Sequence, residues 1–256
     1  MRVVTRKSRR EIDSMRRAGR LVAEVLALVE SALRPGVTAA ELDALAERHI
    51  RASGGVPSFK GYRLDRQTPP FPGSICVSID REVVHGLPDE RVIRDGQLVS
   101  IDAGAIVDGW HGDAARTFFV GEPPAEVGAL METTRLALMA GIAAAVPGAR
   151  IGDISGAVED VAAAGGYGVV EECVGHGIGT SMHEAPDVPN YRTRSMGLRL
   201  EPGLCLAIEP MLTLGSPAIG ILDDGWTIVT RDGSLACHFE HTIAITADGP
   251  EILTTV

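Results

Sequence analysis

Residues 98–120 read LVSIDAGAIVDGWHGDAARTFFV, and the reading of this stretch decides the fold. Asp108-Gly109 is a two-residue hairpin signal between two β-type runs, because the tight turn needs positive φ at both central positions and Asp and Gly tolerate it. With that turn, Val107 pairs with Trp110 and Gly104 with Asp113. Asp102 and Asp113 then project from one face as diagonal neighbours, about 7–8 Å apart at the backbone. Two carboxylates on one face of a mostly apolar hairpin repel each other unless a cation or a proton lies between them.

The same plan recurs later in the chain. Gly96 to Asp102 parallels Gly203 to Glu209, each an apolar run ending in an acid. Asp108-Gly109-Trp110 parallels Asp224-Gly225-Trp226, His111-Gly112-Asp113 parallels His238-Phe239-Glu240, and Val84 to Leu87 parallels Gly175 to Ile178. The helical parts match too. Residues 20–55 read as a helix broken at Pro35-Gly36, with Thr38 and Glu41 capping the next one, and residues 134–166 are broken at Pro147-Gly148 with Asp153 as cap. A repeat of about 110 residues is too long for a solenoid. It predicts an internal duplication, roughly 12–121 and 130–250, packed about a pseudo-twofold axis as one domain spanning 1–256.

That symmetry brings Glu209 and Glu240 to face Asp102 and Asp113, with His85 and His176 each on a short Gly-flanked loop at the edge. Carboxylates with one imidazole suit a pair of divalent ions, since hard oxygen donors dominate and thiolates are absent. His183 lies seven residues beyond His176 and is expected to reach the same cavity from a loop. His49 reads as surface. His111, His238 and His241 flank the acids, as outer hydrogen-bond donors or core-edge residues.

Composition narrows the class. The chain has 256 residues, 45% hydrophobic and 23% charged, with net charge −10, which fits a folded globular protein and disfavours a generic nucleic-acid binder. No apolar run approaches the roughly 18 residues of a membrane span. There is no secretory h-region at the start. Cys76, Cys173, Cys205 and Cys237 lie far apart with no C-x-x-C pair, so reduced thiols in a cytoplasmic protein are expected. Residues 1–20 carry eight Arg or Lys against two acids. Contact with an RNA-rich surface such as a ribosome is one reading of that excess; the plainer one is a solvated face of a helix opened by a Ser8–Glu11 capping box.

Together, Cys76 to Gly86 (CVSIDREVVHG), Asp95 to Gly121, Val174 to Pro186 (VGHGIGTSMHEAP), Glu201 to Met211 (EPGLCLAIEPM) and Asp224 to Thr246 with FEHT resemble type I methionine aminopeptidase. The resemblance covers nearly the whole chain. It implies the α+β pita-bread (creatinase/aminopeptidase) fold, two pseudo-twofold-related halves around a central antiparallel sheet. It also implies removal of the N-terminal methionine from nascent polypeptides whose second residue is small and uncharged. Asp102 would chelate the second of two divalent ions, Asp113 and Glu240 would bridge both, and His176 and Glu209 would complete the first. Co, Mn, Fe and Zn all suit such ligands, and a monovalent cation can accompany them in this family. Glu209 would shuttle the proton, His183 would stabilise the oxyanion, and His85 would hydrogen-bond the scissile amide region. Phe59, Tyr62, Phe71, Cys76, Met182 and Trp226 would line the methionine pocket, four of them from a total of only ten aromatic residues. The chain starts at the catalytic domain without a zinc-binding extension, so it resembles the bacterial form. A monomer is expected, with no membrane and no specific nucleic acid as partner.

The sequence departs from the family in two places. The run Tyr62 to Pro72 is longer than usual and lacks a histidine, so residues 63–70 read as an insertion at the pocket rim. Asp80 stands where Asn is usual and Arg81 where an acid is usual, which bears on the monovalent-cation site. Competing readings are an X-Pro aminopeptidase or dipeptidase of the same fold, a non-catalytic pita-bread binding module, and a mononuclear iron oxygenase, for which two His and one acid suffice. Arg2 is too bulky for a pocket selecting small second residues, so Met1 should be retained; an intact-mass measurement showing a chain that begins at Arg2 would contradict this.

Overall fold

The structure, a computed structural model, describes residues 3–65 and 67–256. Met1 and Arg2, on which the retention expectation rests, and Arg66 of the 63–70 stretch lie outside them. Helix α1 (Arg9–Ala32) opens on a capping box in which Ser8 Oγ accepts from Glu11 N–H and the Glu11 carboxylate accepts from Ser8 N–H. Pro35-Gly36 turns the chain, with Gly36 at φ 94°, and a second box, Thr38 with Glu41, opens α2 (Ala39–Ala52). Short strands β1 (Val56–Pro57), β2 (Ile75–Ile79) and β3 (Glu82–Val84) lead to the long pair β4 (Leu98–Val107) and β5 (Trp110–Phe119). Asp108 and Gly109 sit at φ 51° and 81°, and Val107 stands opposite Trp110 and Gly104 opposite Asp113, the register read from the turn. One edge of β4 carries β5; the other carries β1 and β2.

A second helix pair follows, α3 (Ala125–Ala144) and α4 (Ile151–Gly165), joined through Pro147-Gly148. Arg150 occupies the N-cap of α4, so Asp153 is not the cap expected of it. It lies three residues into the motif, where its carboxylate accepts the Arg150 N–H at 2.7 Å. The remaining strands are β6 (Gly168–Val169), β7 (Gly175–Gly177), β8 (Glu184–Val188), β9 (Cys205–Ile208), β10 (Met211–Thr213), β11 (Ile219–Ile221), β12 (Ile228–Thr230), β13 (Ala236–His238), β14 (His241–Thr246) and β15 (Gly249–Ile252). They build an antiparallel sheet ordered β15-β14-β9-β7-β8 and the smaller β13-β10-β6 and β11-β12-β3. Both Asp-Gly-Trp runs mark turns, but of unlike strands: the first closes β4–β5, while Asp224 to Trp226 lies between β11 and β12. His176, expected on a loop, is the middle residue of β7.

Each helix pair covers its own sheet. Val22, Val25, Leu26, Leu42 and Ile50 pack on Ile75, Val99 and Ile101; Leu138, Ile142, Ile154 and Val158 pack on Leu206, Ile208 and Ile243. α1 meets β5 backbone to backbone, since a Cβ on Gly112 would lie 2.6 Å from Gly19 N. By length and composition α3 is apolar enough to cross a membrane. Its apolarity serves packing against α4: Leu130, Ala137, Leu138 and Ile142 are buried, while Glu132 and Arg135 pair at the exposed face.

The two sheets meet at a seam between β5 and the β13–β14 segment. Glu240 N–H donates to Ala115 O at 2.9 Å, and two threonine hydroxyls reinforce it. Thr242 Oγ1 accepts from Asp113 N–H at 3.0 Å and donates to Asp113 O at 2.8 Å; Thr117 Oγ1 does the same for His238, at 3.0 and 2.7 Å. Both are buried, and leaving such groups unpaired costs about 1–3 kcal/mol. Thr242→Val, nearly isosteric, should therefore lower stability by about that amount, read as a lower urea midpoint at unchanged slope.

Candidate metal centre and adjoining pocket

Four elements deliver the acids to the seam. Asp102 comes from β4 and Asp113 from β5; Glu209 follows β9 and Glu240 precedes β14. Asp113, His176 and Glu240 each offer a ligand atom within 4.8 Å of the others. His176 Nε2 lies 3.8 Å from Asp113 Oδ2 and 3.7 Å from Glu209 Oε1. Its Nδ1 is 2.9 Å from Gly177 O, a contact in which the ring nitrogen must donate; the Nε2 lone pair is thus directed at the acids.

The electrostatics ask for a cation. Asp102 Oδ1, Asp113 Oδ1 and Glu240 Oε1 are buried with no hydrogen-bond partner among the described residues. Burial pushes the Asp102 carboxyl up to about 7. Burial first, and then the neighbouring acids, hold Asp113, Glu209 and Glu240 well above the usual carboxylate range. Orphaned anionic oxygens that repel one another, beside a directed imidazole lone pair, fit divalent cations with a preference for oxygen ligands.

Beside the acids lies an apolar pocket. Phe59, Phe71, Cys76, Met182 and Trp226 form one buried cluster with Tyr62 against it, and all six line the cavity that holds Asp102, Asp113, His176, Glu209 and Glu240. Phe71 meets Trp226 edge-on, with centroids 5.2 Å apart. The Trp226 indole N–H donates to Pro69 O at 2.9 Å, so the 63–70 stretch holds part of the pocket wall. Cys76 stands opposite Asp102 in the β2–β4 ladder, and burial followed by the Asp102 charge keeps its thiol protonated.

The histidines separate by environment. His85 and His183 line the cavity. His85 is held at φ 60°, and burial lowers it to about 4, so it is neutral at pH 7. The His183 ring lies 4.3 Å from that of His176, and its Nδ1 is 2.7 Å from the Tyr62 hydroxyl. That hydrogen bond was not foreseen, because Tyr62 read only as pocket wall. His238 is also closer to the chemistry than its flanking position suggested: its Nε2 is 3.7 Å from Glu209 Oε2. His111 bonds Ser58 and His241 bonds Thr254, while His49 pairs with Glu24 on α1.

Two other expectations meet their surroundings here. Asp80, in the β2–β3 turn at φ 59°, has its carboxylate engaged by Leu98 N–H and Gln97 Nε2. Arg6, Arg16, Arg17 and Arg20 pair with Glu201, Glu251, Asp108 and Glu24, an arrangement that suits the solvated-face reading of the basic segment.

Fold and acid cluster together define a metal-dependent hydrolase, and the pattern of metallopeptidase family M24 matches residues 13–247. Methionine aminopeptidase from Clostridium acetobutylicum is 48% identical over 97% of this chain and 97% of its own length. The crystal structure of methionine aminopeptidase from Thermotoga maritima superposes with TM-score 0.95 at 40% identity, covering 99% of this chain and all (100%) of that one. Prolidase from Pyrococcus furiosus, 22% identical with TM-score 0.79, covers 98% of this chain but 65% of that one, and shares the fold alone. The chain belongs to the methionine aminopeptidases of family M24.

The buried groups give a pH signature to the metal-free protein. Asp102 keeps its proton in the fold up to about pH 7 but loses it near 3.8 when unfolded, so its stabilisation is present at low pH and is lost as pH rises through 7. His85, His111, His238 and His241 act oppositely. They are depressed to between about 3 and 4, and their contribution is lost as pH falls below 6.5. Above pH 6.5 the carboxyls act alone. Thermal melts of EDTA-treated protein should show Tm falling from pH 6.5 to about pH 8, with a shallower slope in Asp102→Asn.

Proposed function

We propose that this chain is a single catalytic unit, two duplicated halves spanning 12–121 and 130–250, that removes the N-terminal methionine from polypeptides whose second residue is small and uncharged. One observation carries the reading: the acid cluster and a pocket of aromatic rings, a thiol and a thioether line the same cavity. Soft, polarizable walls suit a methionine thioether.

The donor set fits divalent ions, two in this reading, which Asp102, Asp113, His176, Glu209 and Glu240 would hold. Co, Mn, Fe and Zn are all compatible with these ligands. Bound there, they would supply Lewis-acid polarisation of the scissile carbonyl and lower the pKa of the attacking water. A monovalent cation beside the Asp80 turn can accompany them in this reading, where the Asp80 oxygens each accept one hydrogen bond, from Leu98 N–H and Gln97 Nε2.

The remaining work falls to the chain. Phe59, Tyr62, Phe71, Cys76, Met182 and Trp226 hold the methionine side chain and so place the first peptide bond over the acids. Glu209, at the edge of the acid cluster in the same cavity, takes the proton of the attacking water and passes it to the leaving amine. His183, with Tyr62 donating to Nδ1, presents Nε2–H to the carbonyl oxygen as negative charge develops. Neutral His85 hydrogen-bonds the scissile amide. The free α-amine lies against Asp102 and its neighbours, which restricts the reaction to a chain terminus. Nascent polypeptides in the cytoplasm, met by a monomeric enzyme, are the substrates of this reading.

The test is chelation followed by add-back of each divalent ion, with Met-Ala-Ser, Met-Leu-Ser and Ala-Pro peptides. Methionine should be released from Met-Ala-Ser in preference to Met-Leu-Ser. Failure to release methionine with any of the added metals would sink the reading, and preference for Ala-Pro would promote the X-Pro peptidase instead.

A further inference from the structure

The segment ahead of α1 is tied to the loop that carries His183 by a buried ion pair. Lys7 Nζ donates to Glu184 Oε2 at 2.8 Å, the two side chains being 3% and 7% exposed. Thr5 Oγ1 donates to the same oxygen at 2.5 Å, and Ser181 N–H reaches Glu184 Oε1 at 3.4 Å. Although burial pushes Glu184 up, the hydrogen bonds from Lys7 and Thr5 hold its carboxyl below the ordinary value. The backbone is stitched as well: Val4 bridges Ala185, and Lys7 N–H donates to Gly203 O at 2.7 Å. Gly179 is shaped to admit the pair. A Cβ there would lie 2.4 Å from Glu184 Oε1 and 2.6 Å from Lys7 Cε.

Such a pair is a poor way to gain stability, since apolar side chains of similar volume commonly do as well or better. What it offers is register: neither charge tolerates sliding away from the other inside a dry site. Glu184 directly follows His183 and stands opposite Gly177, the neighbour of His176, in the β7–β8 ladder. The pair therefore anchors the Glu184 end of the connection, next to His183, whose ring lies 4.3 Å from that of His176 and within reach of the Tyr62 hydroxyl.

We propose that Lys7 and Glu184 are positioning residues for His183, a clasp by which the N-terminal segment sets the placement of that ring in the cavity. What the ring then does rests on the methionine aminopeptidase reading; where it is held does not.

The test joins activity to a spectroscopic readout in the full-length protein. The apolar pair Lys7→Met/Glu184→Leu should fold with an unlowered Tm. Its kcat on Met-Ala-Ser should fall about 100-fold, the scale of an ångström-sized misplacement, with KM little changed. The ring resonances of His183 in nitrogen-15 histidine spectra of the purified protein should shift. In a His183→Ala background the same double substitution should cost no further kcat. Should the apolar pair fail to fold, Glu184→Asp keeps both charges, shortens the reach by one methylene, and should show a smaller loss of kcat with the same His183 shift. Full kcat in the variant that folds, unmoved His183 resonances, or an equal loss in the His183→Ala background would each overturn the clasp. A wild-type chain that releases no methionine would defeat the functional reading instead, and the spectra would still decide where the clasp holds the ring.

Discussion

Like charges do not gather in a protein interior without a reason, and here four carboxylates converge where two sheets meet. The seam makes this possible. β5 and β14 are held together by the Ala115–Glu240 backbone bond and by Thr242, whose hydroxyl is spent on both backbone groups of Asp113. Those bonds are indifferent to side-chain charge, so they hold Asp113 and Glu240 together while their carboxylates repel. The helices on the outer faces complete the restraint: α1 lies on β5 so closely at Gly112 that the strand has no room to retreat. The cluster's poised free energy thus comes from packing some distance away, and a divalent cation relieves what the packing imposes.

The parts of this arrangement that were readable in the sequence are those with local causes. The Asp108-Gly109 turn sets its own φ angles, and once it is placed the pairing of ten residues on each side follows from counting. The Ser8 and Thr38 capping boxes are likewise contained in four residues. Where the chain matched itself only by composition, the reading slipped: Asp153 supports the cap without being it, His176 is strand and not loop, and the second Asp-Gly-Trp turns a different strand pair. The contacts left unread are long-range ones. Tyr62 with His183, His238 with Glu209, and Lys7 with Glu184 depend on how separate elements dock, and no spacing within any one segment encodes them.

The histidines show how docking assigns chemistry to identical side chains. His111 and His241 each give one ring nitrogen to a hydroxyl, and burial depresses both, which leaves them neutral spacers. His176 gives Nδ1 to its neighbour's carbonyl and keeps Nε2 for the acids. His183 has a phenol on Nδ1 and lines the cavity. A ring nitrogen's partner, more than the residue's position in a motif, separates the groups that can serve a reaction from those that only fill space.

The pocket and the acid cluster also share a ruler. Cys76 on β2 stands directly across the ladder from Asp102 on β4, so the side-chain pocket and the acids are held one strand spacing apart, about 5 Å. Because side chains alternate faces along a strand, a slip of one residue would send Cys76 away from the cavity while leaving Asp102 in it. The β2–β4 register is held by the apolar residues between them, Val77 and Ile101 among them, all fully buried beneath α1 and α2. Selectivity for the side chain and placement of the bond to be cut are therefore set by a single piece of hydrophobic packing, and the cost of losing that packing would be paid in both at once.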